Sequence, residues 1–189
     1  MKNIFFISTF LLLTSFQGER RMSIAKFVTS QFDQYELEES YMSDNFVKSI
    51  EKQNLHLYSD RILLKAKESH KNKNSYDKPI FTRIQLWQFY FESKEKCNQA
   101  FDSLLKCFPN DCAEIEKGKN QSIKVTPSIW VFCDSEIYVA RTSCEHVDEK
   151  WEAFKKDFAF TFAEENSKII VTECGKLKWT TKEEIKNAP

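Results

Sequence analysis

The sequence predicts an α+β domain of the ferredoxin-like, split βαβ class: a four-stranded antiparallel sheet with two helices on one face, plus an N-terminal helical appendage. Three observations lead there. Between residues 81 and 174, segments with strand character and segments with helical spacing follow in the order β-α-β-β-α-β. Both helical segments carry one-sided apolar stripes. A charged stretch, "AKESHKNKNSYDKP" (66–79), separates this region from what precedes it and reads as a polar linker or loop.

Taken in order, "FTRIQLWQFYFE" (81–92) is aromatic and loosely alternating, as a strand should be. "SKEKCNQAFDSLLKCF" (93–108) puts Cys97, Ala100, Phe101, Leu104, Leu105 and Phe108 on one helical face, with Ser93 as N-cap and Pro109 as stop. "SIKVTPSIWVFC" and "EIYVARTSC" form a hairpin about Asp134-Ser135. "VDEKWEAFKKDFAFTFAEEN" is a helix with Trp151, Phe154, Phe158 and Phe162 at core spacing. "KIIVTEC" and "KLKWTT" are strands about Gly175, and Thr181 with Glu184 makes a capping box for a last helix.

Upstream, residues 1–18 have the design of a secretory signal peptide, a lone Lys2 followed by an apolar run of about 12 residues that Glu19, Arg20 and Arg21 close. That run is short of the roughly 20 residues a spanning helix needs. Residues 19–65 read as an N-terminal helical segment packing on the main domain at 80–189. Ile24, Phe27, Val28, Phe32 and Tyr35 follow helical spacing, and residues 55–65 fit either a strand or a helical turn. The expected product is secreted or periplasmic, with no membrane span after cleavage.

Composition excludes several function classes. Basic and acidic residues are equal at 28 each, and removing residues 1–18 takes away only Lys2. Such a chain offers no field for nucleic acid. Three glycines, Gly18, Gly118 and Gly175, leave no phosphate-cradling loop and no nucleophile elbow. The acidic groups on 147–166 lie opposite the Trp/Phe stripe, as a solvated face does.

Six cysteines in an exported chain point to disulfides. The pairs expected are Cys107–Cys112, across the turn "CFPNDC", and Cys97–Cys144. The second rests on the first and third strands of the fold running parallel. Cys133 and Cys174 are then buried thiols, both at the opposite end of the sheet. Cys133, Cys144 and His146 lack the C-x-x-C pair of structural zinc sites, so neither metal nor cofactor is expected. A sequon, Asn120-Gln121-Ser122, sits in a polar loop.

The aromatics carry the functional expectation. Trp87, Phe89 and Phe91 alternate along the first strand, and Trp130 and Phe132 along the second, while their neighbours are also apolar. Both sheet faces are therefore apolar, yet the expected fold covers only one. This predicts a non-enzymatic protein-interaction or self-associating module, with a protein partner or second copy on Trp87, Phe89, Phe91, Trp130 and Phe132. The alternative is a small secreted enzyme or hydrophobic small-molecule binder using that face as a pocket, with Arg141, Glu145 and His146 as its polar groups.

Overall fold

In a computed structural model the described residues are 22–39, 46–70, 79–109 and 112–187. The expected signal peptide, 1–18, lies outside them. Among the described residues seven strands form one antiparallel sheet: β1 (Tyr35–Leu37), β2 (His56–His70), β3 (Ile80–Phe91), β4 (Ser128–Phe132), β5 (Glu136–Arg141), β6 (Lys168–Glu173) and β7 (Lys176–Thr180). Their order across the sheet is β1-β2-β3-β5-β4-β6-β7. Five α-helices accompany them: α1 (Ile24–Ser30), α2 (Lys48–Glu51), α3 (Lys94–Lys106), α4 (Glu149–Phe162) and α5 (Lys182–Lys186).

This is not the ferredoxin-like fold. The β3-α3-β4-β5-α4-β6 succession is present, but its last strand docks elsewhere. In the split βαβ arrangement the fourth strand lies beside the first. Here β2 occupies that place, and β6 pairs with the outer side of β4, Trp130 opposite Ile170. The change has a consequence for the helices. β3 and β4 are parallel to each other, as are β5 and β6, and both connections step the same way across the sheet along opposite strand directions. Right-handed crossovers then require the two helices on opposite faces.

The core follows that rule. On one face Trp151, Phe154, Phe158 and Phe162 of α4 pack with Phe27 of α1 against Ile84, Leu86, Ile129, Val131, Tyr138 and Ile169. Phe27 meets Phe154, Phe158 and Phe162 edge-on at 5.5, 5.7 and 5.3 Å. On the other, Ala100, Phe101 and Leu104 of α3, with Phe46, Val47 and Ile50, cover Trp87, Phe89, Trp130, Phe132, Val139 and Ile170. A strand covered on both faces is buried on both, which is why "SIWVF" is buried throughout and β3 continuously from Ile84 to Phe89, with Ser128, Gln85 and Gln88 as the polar residues among apolar ones.

Local chemistry sets the ends of these elements. Ser93, Asp148 and Thr181 accept from backbone amides in the first turns of α3, α4 and α5, and Thr181 with Glu184 completes a capping box. α1 is held to the sheet by a different device. Its Ile24 amide donates to Oε1 of buried Gln88 on β3 at 3.0 Å, so a strand side chain satisfies a helix-end donor. The helical spacing at 24–35 corresponds to a helix only as far as Ser30, and Tyr35 belongs to β1. The ambiguous 55–65 is strand. β2 continues to His70, so residues 66–70 of the expected linker belong to the sheet, while 71–78 lie outside the described residues. The segment 19–65 therefore supplies strands as well as helices.

The cysteines follow from strand direction. β3 and β5 are antiparallel, which places Cys97, just after β3, and Cys144, just after β5, at opposite ends of the sheet. The expected Cys97–Cys144 bridge is replaced by Cys144–Cys174, which joins the ends of the parallel strands β5 and β6 with Cα atoms 5.8 Å apart. Cys107–Cys112 is present, and Cys97 and Cys133 are buried thiols outside both disulfides at the other end.

Loop entropy separates the two bridges. Cys144–Cys174 spans 30 residues and Cys107–Cys112 only 5. The chain-entropy relation gives roughly 3–4 kcal/mol for the first and about 2 kcal/mol for the second. Urea unfolding of C144A/C174A and C107A/C112A should show that order, and peptide mapping should recover both bridges with Cys97 and Cys133 unpaired.

Candidate functional site

The residues expected to meet a partner through the sheet face are interior. Trp87, Phe89, Phe91, Trp130 and Phe132 are at most 5% exposed. The Phe46 ring lies 5.8 Å from Trp87 and 5.2 Å from Trp130, and Phe101 of α3 meets Phe132 edge-on at 4.7 Å. The face is covered from within the chain, by α3 and residues 46–51. It is not an open docking face, although Phe132 at its end contributes to the wall of a concavity with Phe101 and Cys97. Beneath it, Trp130 Nε1 donates to Ser128 Oγ at 2.9 Å, Ser128 lies 2.6 Å from Thr172 Oγ1, and Thr172 donates to the Thr126 carbonyl at 2.7 Å. That chain pairs each buried hydroxyl it includes.

The polar trio at the end of β5 divides. Arg141 and His146 line one cavity of about 130 Å³ at the foot of β3 and β5, together with Arg83, Gln85, Thr142 and Ser143. Glu145 is exposed and is not among the residues that line it. The position of each lining group follows from the sheet. Gln85 pairs with Arg141 across β3 and β5. Thr142 Oγ1 donates to the Arg83 carbonyl at 2.8 Å, and the Arg83 amide donates to His146 Nδ1 at 3.4 Å. His146 sits in a single 3-10 turn, Cys144–His146, anchored by the bridge to Cys174. Arg83 is also held by Glu38, with Nε at 2.7 Å and Nη2 at 3.0 Å from its carboxylate. This pairing keeps the Glu38 carboxyl below its ordinary pKa, first through the hydrogen bond from Arg83. The Arg141 guanidinium stacks 4.5 Å above the Phe46 ring.

A larger concavity, about 300 Å³, lies at the other end of the sheet, where Cys97, Cys133, Phe101, Asp134, Ser167 and Lys168 contribute to its wall. Its Cys97 thiol is not poised as a nucleophile. Cys97 Sγ lies 3.5 Å from the Cys133 carbonyl, and Cys133 Sγ lies 3.3 Å from the Phe162 carbonyl on the opposite face. Burial, with Cys133 beside it, pushes the Cys97 thiol from 9.0 up to about 12. A reactive cysteine needs the reverse shift. Among the described residues no group of three or more His, Cys, Asp or Glu is placed to hold a metal ion.

A third feature went unrecognised in the sequence, where 55–65 fitted either strand or helix. β1 pairs only with Leu64–Ala66 of the 15-residue β2. Among the described residues, no strand pairs with 57–60 on their outer side. There Leu57 and Tyr58 are 62% and 55% exposed. Tyr58 stacks on Tyr90 of β3 at 4.1 Å, and the Tyr90 hydroxyl donates to Asp60 at 3.2 Å. The signal for this surface was the bounded apolar run "LHLY", whose exposure depends on how little of β2 the neighbouring β1 covers. The sequon residue Asn120 is exposed, with Oδ1 accepting from the Trp179 amide at 3.0 Å.

Comparison with known proteins adds no family: no family model matches the chain, and neither the curated proteins nor the solved structures gave a match. Among the described residues no helix is long and apolar enough to cross a membrane.

The buried acids define an alkaline limit. Tyr35 is raised from 10.0 to about 12, first by burial and then by Asp148, and Cys97 from 9.0 to about 12. Both stay protonated in the fold at a pH where the unfolded chain ionises. Their contribution is complete below the unfolded values and is lost as pH rises through the folded ones. Unfolding free energy should therefore decline between about pH 9 and 12. Native Cys97 should resist iodoacetamide at pH 8 and react once the chain is unfolded.

Proposed function

We propose that the chain is a non-enzymatic, extracytoplasmic protein-interaction module that docks an extended segment of a partner protein along the outer edge of β2. The observation that carries this reading is the uncovered stretch 57–60, where the two exposed side chains Leu57 and Tyr58 flank backbone with no described strand beside it. Such an edge offers hydrogen-bonding groups to an added strand, and alternate side chains supply selectivity. Asp60, exposed beside the Tyr58–Tyr90 stack, selects a partner strand with a basic residue at the facing position. The extracytoplasmic location is supported by the apolar run at residues 4–16 and by the two disulfides.

The protein from residue 19 onward, screened against a displayed random-peptide library, tests the docking mode. Enriched peptides should protect the amides of residues 57–61 from hydrogen exchange. The double variant Leu57→Lys, Tyr58→Ser should weaken their binding at least tenfold with an unchanged unfolding midpoint. A screen that enriches nothing, peptides that protect another surface, or equal binding by the variant would overturn it.

A further inference from the structure

We infer that Asn120 is an N-glycosylation site, with a polyprenyl-diphosphate-linked oligosaccharide as the donor. The inference rests on the extracytoplasmic part of the reading above, because such transfer belongs to exported chains. Asn120-Gln121-Ser122 has the acceptor pattern, with no proline at its middle position. The reaction joins Asn120 Nδ2 to C1 of the first sugar and breaks the bond between that carbon and the diphosphate oxygen. Nδ2 gives up one proton, and the lipid diphosphate leaves with the bonding pair.

Geometry adds to the motif. Asn120 and Ser122 are exposed and lie outside helix and strand. A backbone N–H is met only by the oxygen of a side-chain amide, so the bond from the Trp179 amide at 3.0 Å fixes which end of Asn120 is which. Nδ2, the atom to be modified, donates to no described residue. Attachment of a sugar there breaks no hydrogen bond of the fold, and Oδ1 keeps its partner. The loop also borders a concavity of about 370 Å³ against the β6–β7 hairpin, lined by Asn120, Gln121, Ser122, Leu177 and Lys178 among others, which leaves room beside the acceptor.

The order of synthesis favours transfer. Trp179, the partner of Asn120, lies 59 residues further along the chain. Leu177, which exchanges amide–carbonyl bonds with Gln121 at 3.0 and 2.8 Å, belongs to the same strand. A chain entering the secretory lumen from its N-terminus presents residues 120–122 before β7 exists to pair with them. In the folded protein those bonds lie on the outer side of β7, the last strand of the sheet, where the sequon takes the place of a further strand. A glycan on Asn120 thus stands at the β7 edge, across the sheet from the open stretch 57–60.

The test is cell-free translation of the full chain with microsomal membranes, beside a form in which a proven secretory leader replaces residues 1–18. Protease protection reads export, and a mobility step removed by endoglycosidase reads the glycan. One glycan per protected chain is expected, lost in Ser122→Ala and kept in Ser122→Thr. Ser122→Ala leaves Asn120 and its bond to Trp179 in place, so it removes the acceptor pattern without touching the fold. Peptide mapping should place the modification at position 120. If only the form with the replaced leader is protected and glycosylated, the export reading falls and Asn120 stands as an acceptor. A protected chain without a glycan, or a glycan that survives Ser122→Ala, would overturn the site.

Discussion

The pairing of β6 with β4 is the constraint on which the rest of the molecule depends. It is a short ladder, Ser128–Phe132 against Lys168–Thr172, with every β4 residue buried. Had β6 returned beside β3, both crossover helices would have fallen on one face and the other would have lain open. With β6 on the far side of β4, α4 is carried to the opposite face from α3. Both faces of the central strands are then filled. The side of β3 left available is taken by β2, and the sheet grows to seven strands.

This geometry explains where apolar surface is spent and where it is not. Trp87, Trp130 and Trp151 are the largest fully buried side chains, and they sit on the central strands or the helix directly over them. Several polar groups admitted to the same region are hydrogen-bonded: Gln88 accepts from the Ile24 amide, and Ser128 and Thr172 complete the path from Trp130 to the Thr126 carbonyl, whereas Trp87 Nε1 has no protein partner. Of the exposed apolar groups, Leu57 and Tyr58 lie at the margin, where β1 pairs only with Leu64–Ala66 of β2. A sheet whose centre is closed on both faces leaves its edges and ends as the accessible parts of the sheet.

Much of this was legible in the sequence, and the part that was not has a common cause. α3, α4 and α5 announce themselves through Ser93, the Trp151–Phe162 stripe and the Thr181–Glu184 box, because caps and helical stripes are local. The two apolar faces of "IQLWQF" and "SIWVF" were equally visible, and they are the mark of strands covered on both sides. What periodicity does not encode is which edge the last strand joins. That single unknown turned a covered face into an apparent docking face, and an error in relative strand direction moved Cys144 from its bond with Cys174 to a supposed bond with Cys97. Of the candidate site, Arg141 and His146 were found because they end a strand at a turn. Arg83, Gln85 and Ser143 escaped notice because their relation to the others is made across β3 and β5 and not along the chain.

The N-terminal segment links the β2 edge to the cavity at the foot of β3 and β5. Its Glu38 amide bonds to the Leu63 carbonyl of β2, while its carboxylate grips Arg83 at the cavity, so one residue joins the sheet edge to the cavity wall. Phe46, from the same segment, closes the aromatic face and orients Arg141. The residues read as an appendage therefore do more than cover a core. They decide how much of β2 stays open and how the guanidinium groups at the foot of the sheet are held. Glu38, one residue past the three-residue β1, thus bonds both to β2 and to Arg83 of β3.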